Sequence, residues 1–246
     1  MTFTAERIKL TTTRSPWWCA GVAAVLSIGI AALTSANAVP RFLTPQTVVA
    51  GLATVGVPVL MILSTLTITG EFRTGMIRTT FMATPNRTLV LGAKAVVAAL
   101  FAALVTAVTG IAAMAVAKAL APEQDTRQLS LLDGEVWLTV GAVALYAALA
   151  AVLAVSLGAL LRHAAGAITI LLLWPFVVEP LLSSMPRVGD RVSPFLPFIN
   201  AYEFIGSGIY RDDRLLWGPV GALLYFTGFV AVLFVAAAFV TIRRDP

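Results

Sequence analysis

Six stretches of about twenty or more mostly apolar residues dominate the chain, at 17–38, 48–69, 89–120, 136–161, 164–183 and 217–242, and no other feature restricts its fold so severely. At 1.5 Å per residue, about twenty helical residues cross roughly 30 Å of hydrocarbon, so each run is long enough to span a bilayer. The overall balance agrees: 59% of the 246 residues are hydrophobic, only 12% are charged, and the mean hydropathy is +0.92. Water-soluble domains carry about a quarter of their residues as charges, so a soluble fold is not expected. An all-α membrane protein of six spans, forming one transmembrane domain over 1–246, is expected.

The first run follows a polar segment, 1–16, that contains Arg7, Lys9 and Arg14. It ends in Ser35-Ala36-Asn37-Ala38, a weak imitation of a signal-peptidase site, and is read as a retained span. The single cysteine, Cys19, permits neither a disulfide framework nor a thiolate metal cluster within one chain, and reads as a small apolar filler. Small pairs four apart, such as Ala99 with Ala103 and Ala144 with Ala148, would let helices approach closely in lipid.

An even number of crossings places both termini on one side. That side receives ten of the seventeen Lys and Arg residues: Arg7, Lys9, Arg14, Arg73, Arg78, Arg87, Lys94, Arg162, Arg243 and Arg244. Its only acids are Glu6, Glu71 and Asp245. Clustering of positive charge beside span ends marks the cytoplasmic side, so both termini are expected in the cytoplasm of a cell that carries the chain in its inner or plasma membrane. The net charge of +5 is then a topology signal, and no nucleic-acid partner is expected.

Between the second and third spans the chain reads GEFRTGMIRTTFMATPNRTLVLGAK over 70–94. From Glu71 to Met82 there is no proline. On a helical wheel Phe72, Met76, Ile77, Thr80 and Phe81 share one half, while Glu71, Thr74, Gly75 and Arg78 share the other. This spacing predicts a short surface helix, Glu71 near its start being favoured by the dipole and Pro85-Asn86 supplying the turn back into the membrane. An ordinary positive loop, its arginines meeting lipid headgroups, is the alternative.

The run of Glu71, Gly75, Arg78, Pro85, Arg87 and Lys94 resembles the signature of ABC-2-type transporter permeases. The opening Glu6-Arg-Ile-Lys-Leu and Arg14-Ser-Pro-Trp-Trp18 is similar to that family's N-terminal segment. The resemblance implies an ABC-2 (type V) exporter-like fold, with an N-terminal interfacial helix and a coupling helix within 70–88 that docks on a separate ATPase. Glu71, Phe72, Arg73, Gly75, Met76, Arg78 and Phe81 would then contact the ATPase, and Pro85, Arg87 and Lys94 would support the coupling loop. It implies partners too: two ABC ATPase subunits, a second permease subunit, identical or paralogous, and membrane lipids. ATP and Mg would be used by the ATPase and no cofactor bound by this chain.

Between the last two spans, 184–216 is rich in proline and aromatics (Pro186, Pro194, Phe195, Pro197, Phe198, Tyr202, Phe204, Tyr210). A re-entrant or interfacial cap on the outer face fits. In the resembled family short extracellular helices at this place gate substrate exit; an aromatic belt with no gating role is the other reading. Glu179, in Trp174-Pro-Phe-Val-Val-Glu-Pro180, is an intramembrane charge that needs an explanation. It lines a route with Phe195, Phe198 and Tyr202, pairs with an outer arginine, or sits among outer headgroups. Lys118 snorkels outward, and His163 beside Arg162 reads as a solvated turn residue.

The sequence contains no G-x-x-x-x-G-K-[ST], H-E-x-x-H or G-x-S-x-G, and one histidine. The function expected is therefore transport rather than catalysis, as the permease subunit of an ATP-driven exporter of a hydrophobic or amphipathic substrate (lipid, drug or antibiotic, or peptide). Two alternatives remain: a lipid-modifying enzyme built on Glu179, Tyr202, Glu203 and Asp212, and an ion-coupled carrier, for which only Glu179 is available as a buried carboxylate.

Overall fold

The computed structural model describes residues 2–38, 43–84, 86–122, 126, 128–206 and 216–243. Pro85, Tyr210, Asp212, Arg244 and Asp245, named above, lie outside the described residues. Among the described residues there is no strand, and six helical segments are long and apolar enough to cross a membrane: Arg14–Ala36, Pro45–Thr74, Arg87–Leu120, Gly134–Leu161, Ala164–Ser184 and Pro219–Arg243.

In chain order the helices are α1 (Thr2–Thr12), α2 (Arg14–Ala36), α3 (Pro45–Gly51), α4 (Val57–Thr74), α5 (Met76–Ala83) and α6 (Arg87–Leu120). They continue with α7 (Gly134–Leu161), α8 (Ala164–Leu173), α9 (Glu179–Ser184), α10 (Gly189–Val192), α11 (Pro197–Ile205) and α12 (Pro219–Arg243). Single π-turns, Leu52–Gly56 and Trp174–Val178, join α3 to α4 and α8 to α9, so the second and fifth spans are continuous helices with one widened turn each.

Two boundaries differ from the sequence expectation in an informative way. The second span does not stop near residue 69: α4 runs on to Thr74, and Glu71 to Thr74 form its last turn. The surface helix is correspondingly shorter, Met76–Ala83, because Gly75 takes the left-handed conformation (φ +72°) and ends α4 while starting α5. Glycine adopts this conformation without a Cβ penalty, which makes it the common helix terminator. The polar N-terminal segment is also mostly helical, and α2 begins at Arg14, three residues before the apolar run.

Packing depends on small residues. Ala23, Ser27, Ala31 and Ser35 recur every four positions along α2 and are all buried. They lie on the side that meets the second span, where a Cβ on Gly56 would fall 2.5 Å from Ser27 Oγ. On α6 the buried stripe includes Ala98, Ala102, Thr106 and Gly110, one position away from the half-buried Ala99 and Ala103 pair expected from sequence. On α7, Gly158 meets α4 so closely that a Cβ would sit 2.6 Å from Ile68 Cγ2 and 3.4 Å from the Thr65 carbonyl oxygen. With no hydrophobic drive between helices in lipid, this close van der Waals contact supplies the association.

Gly158→Val is therefore expected to destabilise the fold by about 1–3 kcal/mol through overpacking. Gly141→Ala, at a mid-helix glycine with nothing within 4 Å of its Cβ position, costs no stability and is expected to add about 0.5–1 kcal/mol. Thermal unfolding of the detergent-solubilised protein distinguishes the two.

Candidate functional site

Four charged side chains from three helices meet near the N-terminal face. Glu6 and Lys9 lie on α1, Glu71 on the last turn of α4, and Lys94 two turns into α6. The Lys94 amine, on a residue only 2% exposed, donates to Glu6 Oε2 at 2.8 Å and to Glu71 Oε1 at 2.7 Å. Lys9 donates to the same Glu71 oxygen at 2.7 Å and to Glu6 Oε1 at 3.3 Å. Two ammonium groups against two carboxylates leave the cluster neutral, which is how ions can sit away from water without a prohibitive desolvation cost. Burial draws the Lys9 amine down, but its hydrogen bond to Glu71 and the charges of Glu71 and Glu6 outweigh this, and the net shift is upward. Its contribution is therefore complete at neutral pH and is lost only as the pH climbs past the ordinary lysine range. Glu71 Oε2 has no partner among the described residues, and a hollow of about 400 Å³ beside the cluster is lined by Lys9, Thr13, Arg73 and Thr74.

This geometry divides the residues expected to contact a partner into two groups. Glu71 faces inward as an anchor, because it belongs to α4 rather than to a free surface helix. Phe72 and Phe81 are half-buried, each beneath an arginine: the Arg162 guanidinium stands 4.9 Å from the Phe72 ring, and that of Arg87 5.2 Å from the Phe81 ring. Ile77 is the buried residue of α5. Left on the surface are Arg73, Gly75, Met76, Arg78, Thr79 and Met82, a strip combining two cations with two flexible thioether side chains.

Arg87 has a second role. Its Nη1 donates to the Thr241 and Ile242 carbonyl oxygens at 3.2 and 3.4 Å, so it caps the end of α12. A cation there satisfies carbonyls that lack intrahelical donors and complements the helix dipole. His163, exposed at the α7–α8 turn, starts α8 by accepting the Gly166 N–H on Nδ1 at 3.2 Å. Lys118 is exposed in the last turn of α6.

At the opposite face Glu179 is 1% exposed, and its two oxygens accept the Phe198 N–H at 3.0 Å and the Ile199 N–H at 2.8 Å. Those amides open α11, whose own cap position holds Leu196, a side chain with no acceptor. Glu179 thus caps another helix from α9. Phe198 and Tyr202 are buried against Tyr146 and Phe226, whereas Phe195 is exposed at the rim. The cap is tied down by Asn200, which sequence reading missed. Asn200 donates to the Pro194 and Leu196 carbonyls and accepts the Trp217 indole N–H at 2.7 Å. Tyr225 donates to the Phe195 carbonyl at 2.7 Å. An asparagine in an otherwise apolar stretch was the available signal.

Helices of this length and apolarity, stitched by buried polar caps at both ends, define a multi-pass membrane protein. No protein-family model matches the chain, and no curated protein matches its sequence.

Two outcomes follow from the geometry. Lys94→Met leaves a surplus buried negative charge and is expected to cost about 3–5 kcal/mol in thermal unfolding, while Lys94→Met combined with Glu71→Gln restores neutrality and recovers part of the loss. Glu179→Leu removes both acceptors from α11, so hydrogen exchange at the Phe198 and Ile199 amides accelerates; Glu179→Gln, which keeps one acceptor, gives a smaller acceleration.

Proposed function

We propose that the chain is the permease subunit of an ATP-binding-cassette exporter, working as a pair of permease subunits with two separate ATPase subunits. The observation that carries this reading is α5: a short helix turned out of the second span at Gly75, rooted by Ile77 and the Phe81–Arg87 contact, with Met76, Arg78 and Met82 exposed beside Arg73 at the end of α4. Such a strip suits a partner groove that offers carboxylates and apolar side chains. The sequence has no phosphate-binding loop, so ATP and Mg belong to the partner.

In this reading the face bearing α1 and α5 is cytoplasmic, in the inner or plasma membrane, in accord with its excess of Lys and Arg. Force applied to α5 reaches α4 through one turn of helix, and passes from α4 to α1 and α6 through the Glu6–Lys9–Glu71–Lys94 cluster. The pathway lies between two copies or paralogues and carries a hydrophobic or amphipathic molecule toward the α11 cap. Both Glu179 oxygens are engaged by helix amides, which argues against its use as the acid of a lipid-modifying enzyme or the coupling carboxylate of an ion-driven carrier.

The test is affinity purification from native membranes, followed by assay of Mg-dependent ATP hydrolysis. The unaltered chain is expected to bring down a P-loop ATPase, and Arg78→Glu with Met76→Asp to lose it without a change in thermal unfolding. Recovery of the chain with no ATP-hydrolysing partner, or undiminished capture by the double variant, overturns the assignment.

A further inference from the structure

A cavity of about 520 Å³ opens between α1 and α6, lined among others by Phe3, Leu10, Trp17, Val97, Leu100 and Phe101, with Arg7 on its rim. We propose that this groove holds one anionic phospholipid, its acyl chain against α6 and its phosphate met by the Arg7 guanidinium.

The medium beside the groove argues for an acyl chain. Val96, Leu100, Leu104 and Val108, four apart along α6, are all exposed, Leu100 to 66% and Leu104 to 65%. On a span, such a stripe borders either lipid or another apolar surface. From Val96 to Val105 the groove runs roughly 14 Å along the helix, close to half of the ~30 Å hydrocarbon thickness, the depth of a single leaflet. The floor is shaped by Trp17 and Phe101 packed edge to face, ring centres 6.3 Å apart, with the Trp17 indole N–H donating to the Thr11 carbonyl at 3.2 Å. That bond joins α1 to the start of the first span.

Charge argues for an anionic head. Of the cations on α1, Lys9 is consumed by Glu6 and Glu71, whereas the exposed Arg7 guanidinium has no side-chain or carbonyl partner among the described residues. Arg14 borders an adjoining hollow that shares Thr11 and Trp17. A cation pairs with phosphate oxygens, and each basic residue at a membrane surface, arginine or lysine, favours anionic lipid through its charge. The site is independent of the exporter assignment, because it needs only α1, α6 and a bilayer.

Native mass spectrometry of the full-length chain, purified in detergent and offered equal amounts of palmitoyl-oleoyl phosphatidylglycerol and palmitoyl-oleoyl phosphatidylcholine, tests it. The expected result is one phosphatidylglycerol retained with about fivefold preference, preserved by Arg7→Lys, reduced to near parity by Arg7→Gln, and unaffected by Arg78→Gln on the same face. Val97→Trp, which fills the groove from its half-buried wall, abolishes retention of both lipids. Equal retention of the two lipids by the unaltered chain, a preference that survives Arg7→Gln, or one that falls equally with Arg78→Gln overturns the proposal.

Discussion

Four ions that cannot afford to be alone determine how the N-terminal face is built. Lys94 is carried into the protein by a long apolar helix, and once there its ammonium requires carboxylates within hydrogen-bond reach. One comes from α4 and the other from α1, elements 23 and 88 residues away in sequence. α1 contributes little other burial, Leu10 being its buried apolar residue, so the ion pairs are what hold it across α4 and α6. Because Glu71 occupies the last turn of α4, the same contacts hold that turn in place, and Gly75 beyond it sets where the helix ends and α5 leaves.

The span count was legible because hydropathy is summed over some twenty residues, and a few mistaken boundaries do not change the sum. The break at Gly75 was visible in outline, as a glycine following Arg73 and Thr74, yet a wheel drawn through 71–82 concealed it, since periodicity continues across a left-handed residue that the chain does not. The ionic cluster was legible only as residue types. Glu71 and Lys94 stood out in the polar segment and Glu6 and Lys9 in the opening one, but nothing local indicates that residues so far apart meet in one hydrogen-bonded cluster. Glu179 was recognisable as costly in lipid, while its partners are backbone amides, which have no sequence signature at all.

The two faces solve one problem with opposite charges. Helices that end near hydrocarbon leave amides at the N-terminus and carbonyls at the C-terminus without partners, and water is scarce there. At one face Arg87 reaches from α6 to the last carbonyls of α12; at the other Glu179 reaches from α9 to the first amides of α11. Each charged group therefore does more than cancel a dipole, because it also pins a helix that is distant in sequence. The Pro194 and Pro197 pair and Asn200 complete the second arrangement, turning a proline-rich connection into an ordered cap instead of a loose loop.

A consequence for motion follows from where these pins lie. α5 is separated from the ionic cluster by a single helical turn and a glycine; its Phe81 touches Arg87 at the start of α6, while Phe72, on the last turn of α4, touches Arg162 at the α7–α8 turn. Those arginine–ring contacts are weaker than the buried ion pairs, on the order of 0.5–1 kcal/mol each at exposed sites. A load placed on α5 would therefore release Phe81 from Arg87 before it disturbed Lys94. Arg87 would keep its bonds to the α12 carbonyls, and α12 is held besides by its packing along α7, α11 and α6. The ring contact that holds α5 against α6 is thus the weakest link at this face, and the ion pairs and helix packing behind it are its firmer part.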